Sequence, residues 1–209
     1  MKAFDIITES DARSLEIGSS VTLRTGGHVT PLAADTLRAR RITVHGAVAE
    51  ASLDGLAPVA AVRAVAIGSD HGGVALKAAL RDYLRQKGLS VLDIGTDGPD
   101  AVDYPDIAAQ AARLVARKEV DAAIVIDGAG IGSAIAANKI DGVRAAMCND
   151  QTLARYAREH NGANVLTLGA TLVSTDEAKA IVDTWLATPM GEARYLRRLA
   201  KIRALEQRQ

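Results

Sequence analysis

Cysteine is almost missing from this chain of 209 residues. The one thiol, Cys148, has no partner for an intrachain disulfide, which fits a reducing compartment. Aromatic residues are scarce, at 3%. Net charge is missing too, because 25 basic and 25 acidic side chains cancel. That balance argues against nucleic acid or an anionic membrane as the main partner, although local patches remain open to phosphate. No apolar run approaches the roughly 18 residues of a membrane span. The opening "MKAFDIITESDARSLEIG" lacks the apolar core of a secretory signal. A soluble cytoplasmic protein is expected.

What abounds is small and aliphatic. Hydrophobic residues reach 48% and there are 18 glycines. This is the composition of an α/β protein with closely packed layers. The length suffices for one sizeable core with a small appendage. From residue 62 onward apolar runs alternate with amphipathic segments. "AVRAVAIG", "SVLDIG", "DAAIVI", "GVRAAMC" and "NVLTLG" read as strands. "HGGVALKAALRDYLRQKG", "YPDIAAQAARLVARK", "GSAIAANK", "DQTLARYAREH" and "TDEAKAIVDTWLAT" read as the helices between and after them. The pattern predicts a doubly wound, five-stranded parallel sheet of Rossmann-like type over 62–209. A charged last helix, "GEARYLRRLAKIRALEQR", lies on a surface or reaches toward another subunit.

Residues 1–45 read as a small α+β extension. "TESDARSLEIG" is a helix capped by Thr8, and "SVTLRTGG" is a strand and turn. "VTPLAADTLRARRITV" is a helix with Thr30 as N-cap and Pro31 at its first position. Residues 46–61, "GAVAEASLDGLAPVAA", are small and without period, as a linker is.

Ligands of such sheets bind beyond the carboxyl ends of the strands. "IDGAGIGS" stands there, a glycine-rich turn from strand to helix with Asp127 at its mouth. One reading is a tight turn that needs glycine for its dihedrals. A second is a dinucleotide fingerprint, but that pattern wants its third glycine where Ser133 stands. A third has the loop's N–H groups stabilising a developing oxyanion, with Asp127 beside them as a base. That pairing is what enediolate chemistry requires, since one group removes a carbon-bound proton and the other holds the charge produced. "SDHGG" puts Asp70 and His71 at the same edge, as structural residues or as phosphate or hydroxyl ligands.

"REHN" behaves differently. His160 and Asn161 precede the fifth strand and belong at the opposite edge of the sheet from Asp127. A five-residue strand spans roughly 17 Å. If His160 and Asp127 share a site, it lies between subunits. Arg194, Arg197 and Arg198 follow the helix that descends to that same far edge. Arg194 and Arg198 stand four apart on one helical face, either a phosphate clamp or a solvated basic face.

Taken in order, "IGSDHGG", "DYPD", "GAGIGSAIAANK", "REHNGANVLTLGA", "IVDTWLATP" and "RYLRR" resemble the ribose-5-phosphate isomerase B family. That family includes the galactose-6-phosphate isomerase subunits. The resemblance covers residues 62 to about 203. It implies aldose–ketose isomerisation of a sugar phosphate through an enediolate, with no metal and no cofactor. It implies a homodimer or tetramer whose sites draw on two subunits. Carried over by position, Asp127 would be the base and His160 would open the sugar ring. Asp70, His71, Gly128, Ala129, Gly130, Ile131, Gly132, Ser133 and Asn161 would hold the sugar, and Arg194 and Arg198 the phosphate. The sequence departs from the family at four places. Many members have a cysteine base where Asp127 stands, a threonine at Ala129 and a phosphate-contacting arginine at Thr171. One branch has a glutamate base at Ser133. Ribose 5-phosphate is the implied substrate, with a tetrose or hexose phosphate as the alternative. A non-catalytic sugar-phosphate-binding subunit is a further reading, motivated by Ala129 and Thr171.

"VTPLAADTLRARRITV" resembles the N-terminal part of cobalamin adenosyltransferases of the ethanolamine-utilisation type. Similar segments occur on enzymes of bacterial microcompartments. The resemblance implies a docking module for a shell or cargo partner. A structural cap or dimer-extending arm is the competing expectation.

Overall fold

The computed structural model describes residues 2–46, 56–58, 61–190 and 193–206, with the side chains at 25–26 and 193–194 outside that description. The chain divides into two compact units, Met1–Ser52 and Leu53–Gln209.

The first unit alternates strand and helix: β1 (Lys2–Ile7), α1 (Glu9–Ser14), β2 (Ser20–Val29), α2 (Pro31–Ala39) and β3 (Thr43–His45). Thr8 caps α1 in a reciprocal box with Asp11, and Thr30 caps α2, which opens on Pro31. The three strands are parallel in the order β1-β2-β3, a more regular arrangement than a mixed α+β extension suggests. β2 also runs through Gly26 and Gly27, where the sequence suggests a turn. A register shift between Phe4 and Ile6 keeps β1 paired with it as far as Val29. Ile7, Ala12, Leu15, Val21, Leu23, Ala33, Leu37 and Ile42 form this unit's core.

The second unit contains β4 (Ala64–Ser69), a 3-10 turn (His71–Gly73), α3 (Val74–Gln86), β5 (Ser90–Gly95), α4 (Tyr104–Ala116), β6 (Ala122–Asp127) and α5 (Ile131–Ala137). It continues with β7 (Ala145–Met147), α6 (Gln151–Glu159), β8 (Val165–Gly169), α7 (Thr175–Ala187) and α8 (Ala193–Glu206). Its five strands are parallel in the order β5-β4-β6-β8-β7. Successive residues of a strand point to opposite faces. Ile124 and Ile126 therefore pack with Leu80, Leu84, Ile181 and Trp185, from α3 and α7. Ala123 and Val125 pack with Ala108, Ala111, Ala112 and Ala137, from α4 and α5. Both faces of β6 are buried, which explains the unbroken apolar run of its sequence.

Most of 46–61, the expected linker, lies outside the described residues. Leu56 does not behave as linker. It is buried against Leu199 and Ala200 of α8, and its carbonyl accepts from Arg144 Nη2 at 3.0 Å. Burial of an apolar side chain against α8 outweighs the lack of local period.

At the carboxyl edge, Lys77 of α3 is 1% exposed and reaches Asp93 at 2.6 Å and Asp97 at 2.8 Å. Arg81 adds a bond to Asp93 at 3.0 Å. Burial works against ionising Asp93, but Lys77 and Arg81 win and hold its carboxyl below the usual carboxylate range. This network ties α3 to β5 and to the loop that leads into Tyr104. Among the described residues, no helix is long and apolar enough to cross a membrane.

Candidate active site

The strand order reverses between β4 and β6, and this places the crevice of the sheet between the loops that follow them. Asp70 leaves β4 there. Its backbone N–H donates to Ile126 at 3.1 Å, and its Oδ1 accepts from the N–H groups of Gly72 and Gly73 at 2.9 and 3.2 Å. The next residue, His71, is exposed at the mouth.

Asp127 ends β6 and is 4% exposed. Its carboxylate turns inward, into the loop it begins. Oδ1 accepts from the N–H groups of Ala129, at 2.9 Å, and Gly130. Oδ2 accepts from the N–H of Ser133, at 2.9 Å, and from the Ser133 hydroxyl. Two carboxylate oxygens offer about four lone-pair sites, so the loop's own donors fill them. The N–H groups expected to wait for an oxyanion already hold one, supplied by the chain itself. The reason is local: a carboxylate two to six residues from free amides reaches them with no loss of chain entropy beyond that of the turn itself.

The loop is fixed from outside as well. Thr167 Oγ1 on β8 donates to the Gly130 carbonyl, and Thr171 Oγ1 donates to the Gly128 carbonyl, each at 2.7 Å. Thr171 thus serves as a tether. Gly130 has φ +77°, and a Cβ there would stand 2.9 Å from the Leu168 carbonyl carbon. A Cβ on Gly132 would lie 2.5 Å from the Tyr104 ring, so that phenol forms one wall of the loop. Ile131 is half exposed on the outer side, at 52%.

Tyr104 was not among the residues singled out from the sequence. Its signal is position: it opens α4 after β5, at the same edge as Asp70 and Asp127. Cys148, beyond β7, is 1% exposed, and burial, with Asp150 adding to it, pushes its thiol up to about 12. Such a thiol is no substitute base.

The remaining expected residues lie at the opposite edge. His160 and Asn161 follow α6 and precede β8, whose Gly169 pairs with Asp127 and whose Val165 pairs with Ala123. Four residues of strand are about 13 Å, so one chain does not join His160 to its own Asp127. His160 lies between Tyr156 and Tyr195, each ring centroid 4.7 Å away. Asn161 Nδ2 donates to the Tyr156 carbonyl at 3.2 Å. Arg198 is exposed, its guanidinium 5.8 Å from the Tyr195 ring centroid. Arg194 belongs to α8, but its side chain lies outside the described residues. Arg158, beside them, is buried with its guanidinium 4.8 Å from the Trp185 ring. Burial and nearby Arg144 push it down to about 10.

Residues 65–202 match the family model described as Ribose/Galactose Isomerase. Ribose-5-phosphate isomerase B of Escherichia coli K12 is 42% identical over 147 residues, 70% of this chain and 99% of that protein. D-erythrulose-4-phosphate isomerase of Pectobacterium atrosepticum is 41% identical over 124 residues, 58% of this chain and 81% of that protein. The structure of Clostridium thermocellum ribose-5-phosphate isomerase B is 46% identical, with TM-score 0.68, covering 69% of this chain and 97% of that one.

Proposed function

The chain belongs to the ribose/galactose isomerase family, as an aldose–ketose isomerase, and we propose that it interconverts ribose 5-phosphate and ribulose 5-phosphate with Asp127 as the base. The observation that carries this is the Asp127 carboxylate, buried at the carboxyl edge and held by four donors of its own loop.

The chemistry follows from where the charge goes. One of the four donors lets go of Asp127 and frees a carboxylate lone pair, which takes the C2 proton of the open aldose; the C2–H electrons form a C1=C2 bond, and O1 becomes the negative oxygen of an enediolate. Asp127 is then neutral and holds its donors less tightly. The N–H groups of Ala129, Gly130 and Ser133 are released toward the new oxyanion as it forms. The loop faces one negative charge throughout, first on the protein and then on the sugar, so stabilisation is preorganised without a second anion beside the first. Return of the proton to C1 and transfer of the O2–H proton to O1 complete the ketose.

His160 opens the ring, and Arg194 and Arg198 take the phosphate. Because these stand at the far edge, the complete site needs a second copy of the chain, in a dimer or tetramer. The Pectobacterium relative favours a second reading, a four-carbon sugar phosphate. Residues 1–45 fall outside the family match. We propose that they dock the chain to a shell or cargo partner of a microcompartment. Deleting them is expected to change partitioning in cells and spare isomerisation.

A panel of tetrose, pentose and hexose phosphates assayed with the native chain and with Asp127→Asn tests the reading. The native chain is expected to turn over one class and to exchange its substrate C2 proton with deuterated water, and Asp127→Asn to do neither. Near-native turnover in Asp127→Asn would remove Asp127 as the base, and absence of exchange in the native chain would favour a binding subunit.

A further inference from the structure

Of the four tyrosines in the chain, two enclose one imidazole. Tyr156 and His160 are four apart on α6 and share a face. Their rings stack at 4.7 Å with 16° between planes. Tyr195 comes from α8 and covers His160 at 4.7 Å and 31°. Tyr195 is 5% exposed, so it is a fixed wall, whereas the His160 side chain keeps 34% of its surface open. The two rings cover the imidazole faces and leave its edge partly open, with Nε2 3.8 Å from Glu159 Oε1. The His160 N–H donates to the Tyr156 carbonyl at 3.0 Å and anchors the backbone as well.

Each tyrosine also carries a cation. The Arg155 guanidinium is 4.8 Å from the Tyr156 centroid, and that of Arg198 is 5.8 Å from the Tyr195 centroid. One ring, Tyr195, thus touches both the histidine assigned to ring opening and an arginine assigned to phosphate. A histidine at a helix end is otherwise free to turn about χ1 and χ2. Two covering rings from two helices remove that freedom.

We propose that Tyr195, together with Tyr156, is a positioning residue that aims the His160 imidazole at the closed sugar ring. This rests on the ring-opening role of His160 given above. In that step one imidazole nitrogen gives its proton to ring oxygen O4 as the C1–O4 bond breaks. The same nitrogen then takes the anomeric O1–H proton. C1=O1 forms, and the proton count is unchanged. Only a closed aldose needs it. Ribulose 5-phosphate has its O5 bound to phosphate and closes no five-membered ring, so its C1 proton is exchanged without His160.

The test compares the native chain with Tyr195→Phe, Tyr195→Leu and His160→Gln in two assays: turnover of ribose 5-phosphate, and deuterium exchange at C1 of ribulose 5-phosphate. Misaiming a catalytic group costs on the order of tenfold or more. Tyr195→Leu is expected to lose about tenfold in ribose 5-phosphate turnover and to keep its exchange, and Tyr195→Phe to keep both. His160→Gln shows the same split with about a hundredfold loss. Equal loss in both assays for Tyr195→Leu, or no loss in either, overturns the positioning role. An even loss in His160→Gln overturns the ring-opening reading, and the proposal with it. Proton NMR checks the clamp without substrate. The His160 ring protons, assigned by their absence in His160→Gln, are shifted upfield in the native chain and in Tyr195→Phe, and relax toward ordinary values in Tyr195→Leu. Unshifted native signals would rule the clamp out.

Discussion

Ser133 gives Asp127 two hydrogen bonds at one oxygen, its backbone N–H at 2.9 Å and its hydroxyl. Both residues are buried, Ser133 at 0% and Asp127 at 4% exposure. The amide belongs to the helix α5 whatever the side chain is. The hydroxyl is a choice of sequence, and it can be removed alone.

Ser133→Ala should therefore keep the loop and loosen the carboxylate. A hydrogen bond to a charged group is worth about 1.5–3 kcal/mol, so a thermal melt should show a loss of that order. Turnover should fall while KM changes little, because the phosphate is bound at the other edge. A rise in KM with unchanged kcat would mean that Ser133 serves the substrate and not the base.

Gly130→Ala attacks the same loop through its backbone. The left-handed φ of +77° costs an alanine about 1–2 kcal/mol, and its Cβ meets the Leu168 carbonyl carbon at 2.9 Å. The loop must shift, and with it the donors to Asp127. The expected result is a lower melting temperature together with loss of isomerisation. Full activity would show that the loop tolerates displacement.

Cys148 should be inert in the folded protein. Its thiol is buried and stays protonated until about pH 12, so iodoacetamide at pH 8 should label it only after denaturation. The sign for stability follows. A raised thiol pKa keeps the proton on the folded state after the unfolded state has lost it. Stability then falls as pH rises from about 9 toward 12. Cys148→Ala should flatten that fall and spare catalysis, and rapid labelling of native protein would contradict the assignment.

Asp93 sets an acid limit. Its carboxyl is held below the usual range by Lys77 and Arg81, against burial. A depressed carboxylate contributes stability above its unfolded pKa of about 3.9. That contribution is lost as pH falls through the lower folded value. Asp93→Asn should lower stability at pH 7 and flatten its dependence below pH 4. An unchanged acid profile would show that Asp97 alone suffices for Lys77.

The fold was legible because its signals are local and repeated. The alternation of apolar runs and amphipathic helices over 62–209 reports a layered parallel sheet without knowledge of any contact. The caps at Thr8 and Thr30 are likewise written in short stretches. Even the separation of Asp127 from His160 could be read, because in a parallel sheet residues before and after strands fall at opposite edges.

What the sequence left open depended on direction. "IDGAGIGS" announces donors and an acid together, but not that the acid faces the donors. Tyr156 and His160 have helical spacing, yet Tyr195 reaches His160 from α8, a helix that also buries Leu56, in a stretch that reads as linker. The sequence by itself determined the order of the elements, the edges of the sheet and the chemical types gathered there. Tertiary structure alone decided which donor meets which acceptor. Hydrogen bonds and ring stacks are short-ranged and oriented, so they are settled by the direction of a side chain, as at Asp127, or by the docking of a distant helix, as at Tyr195.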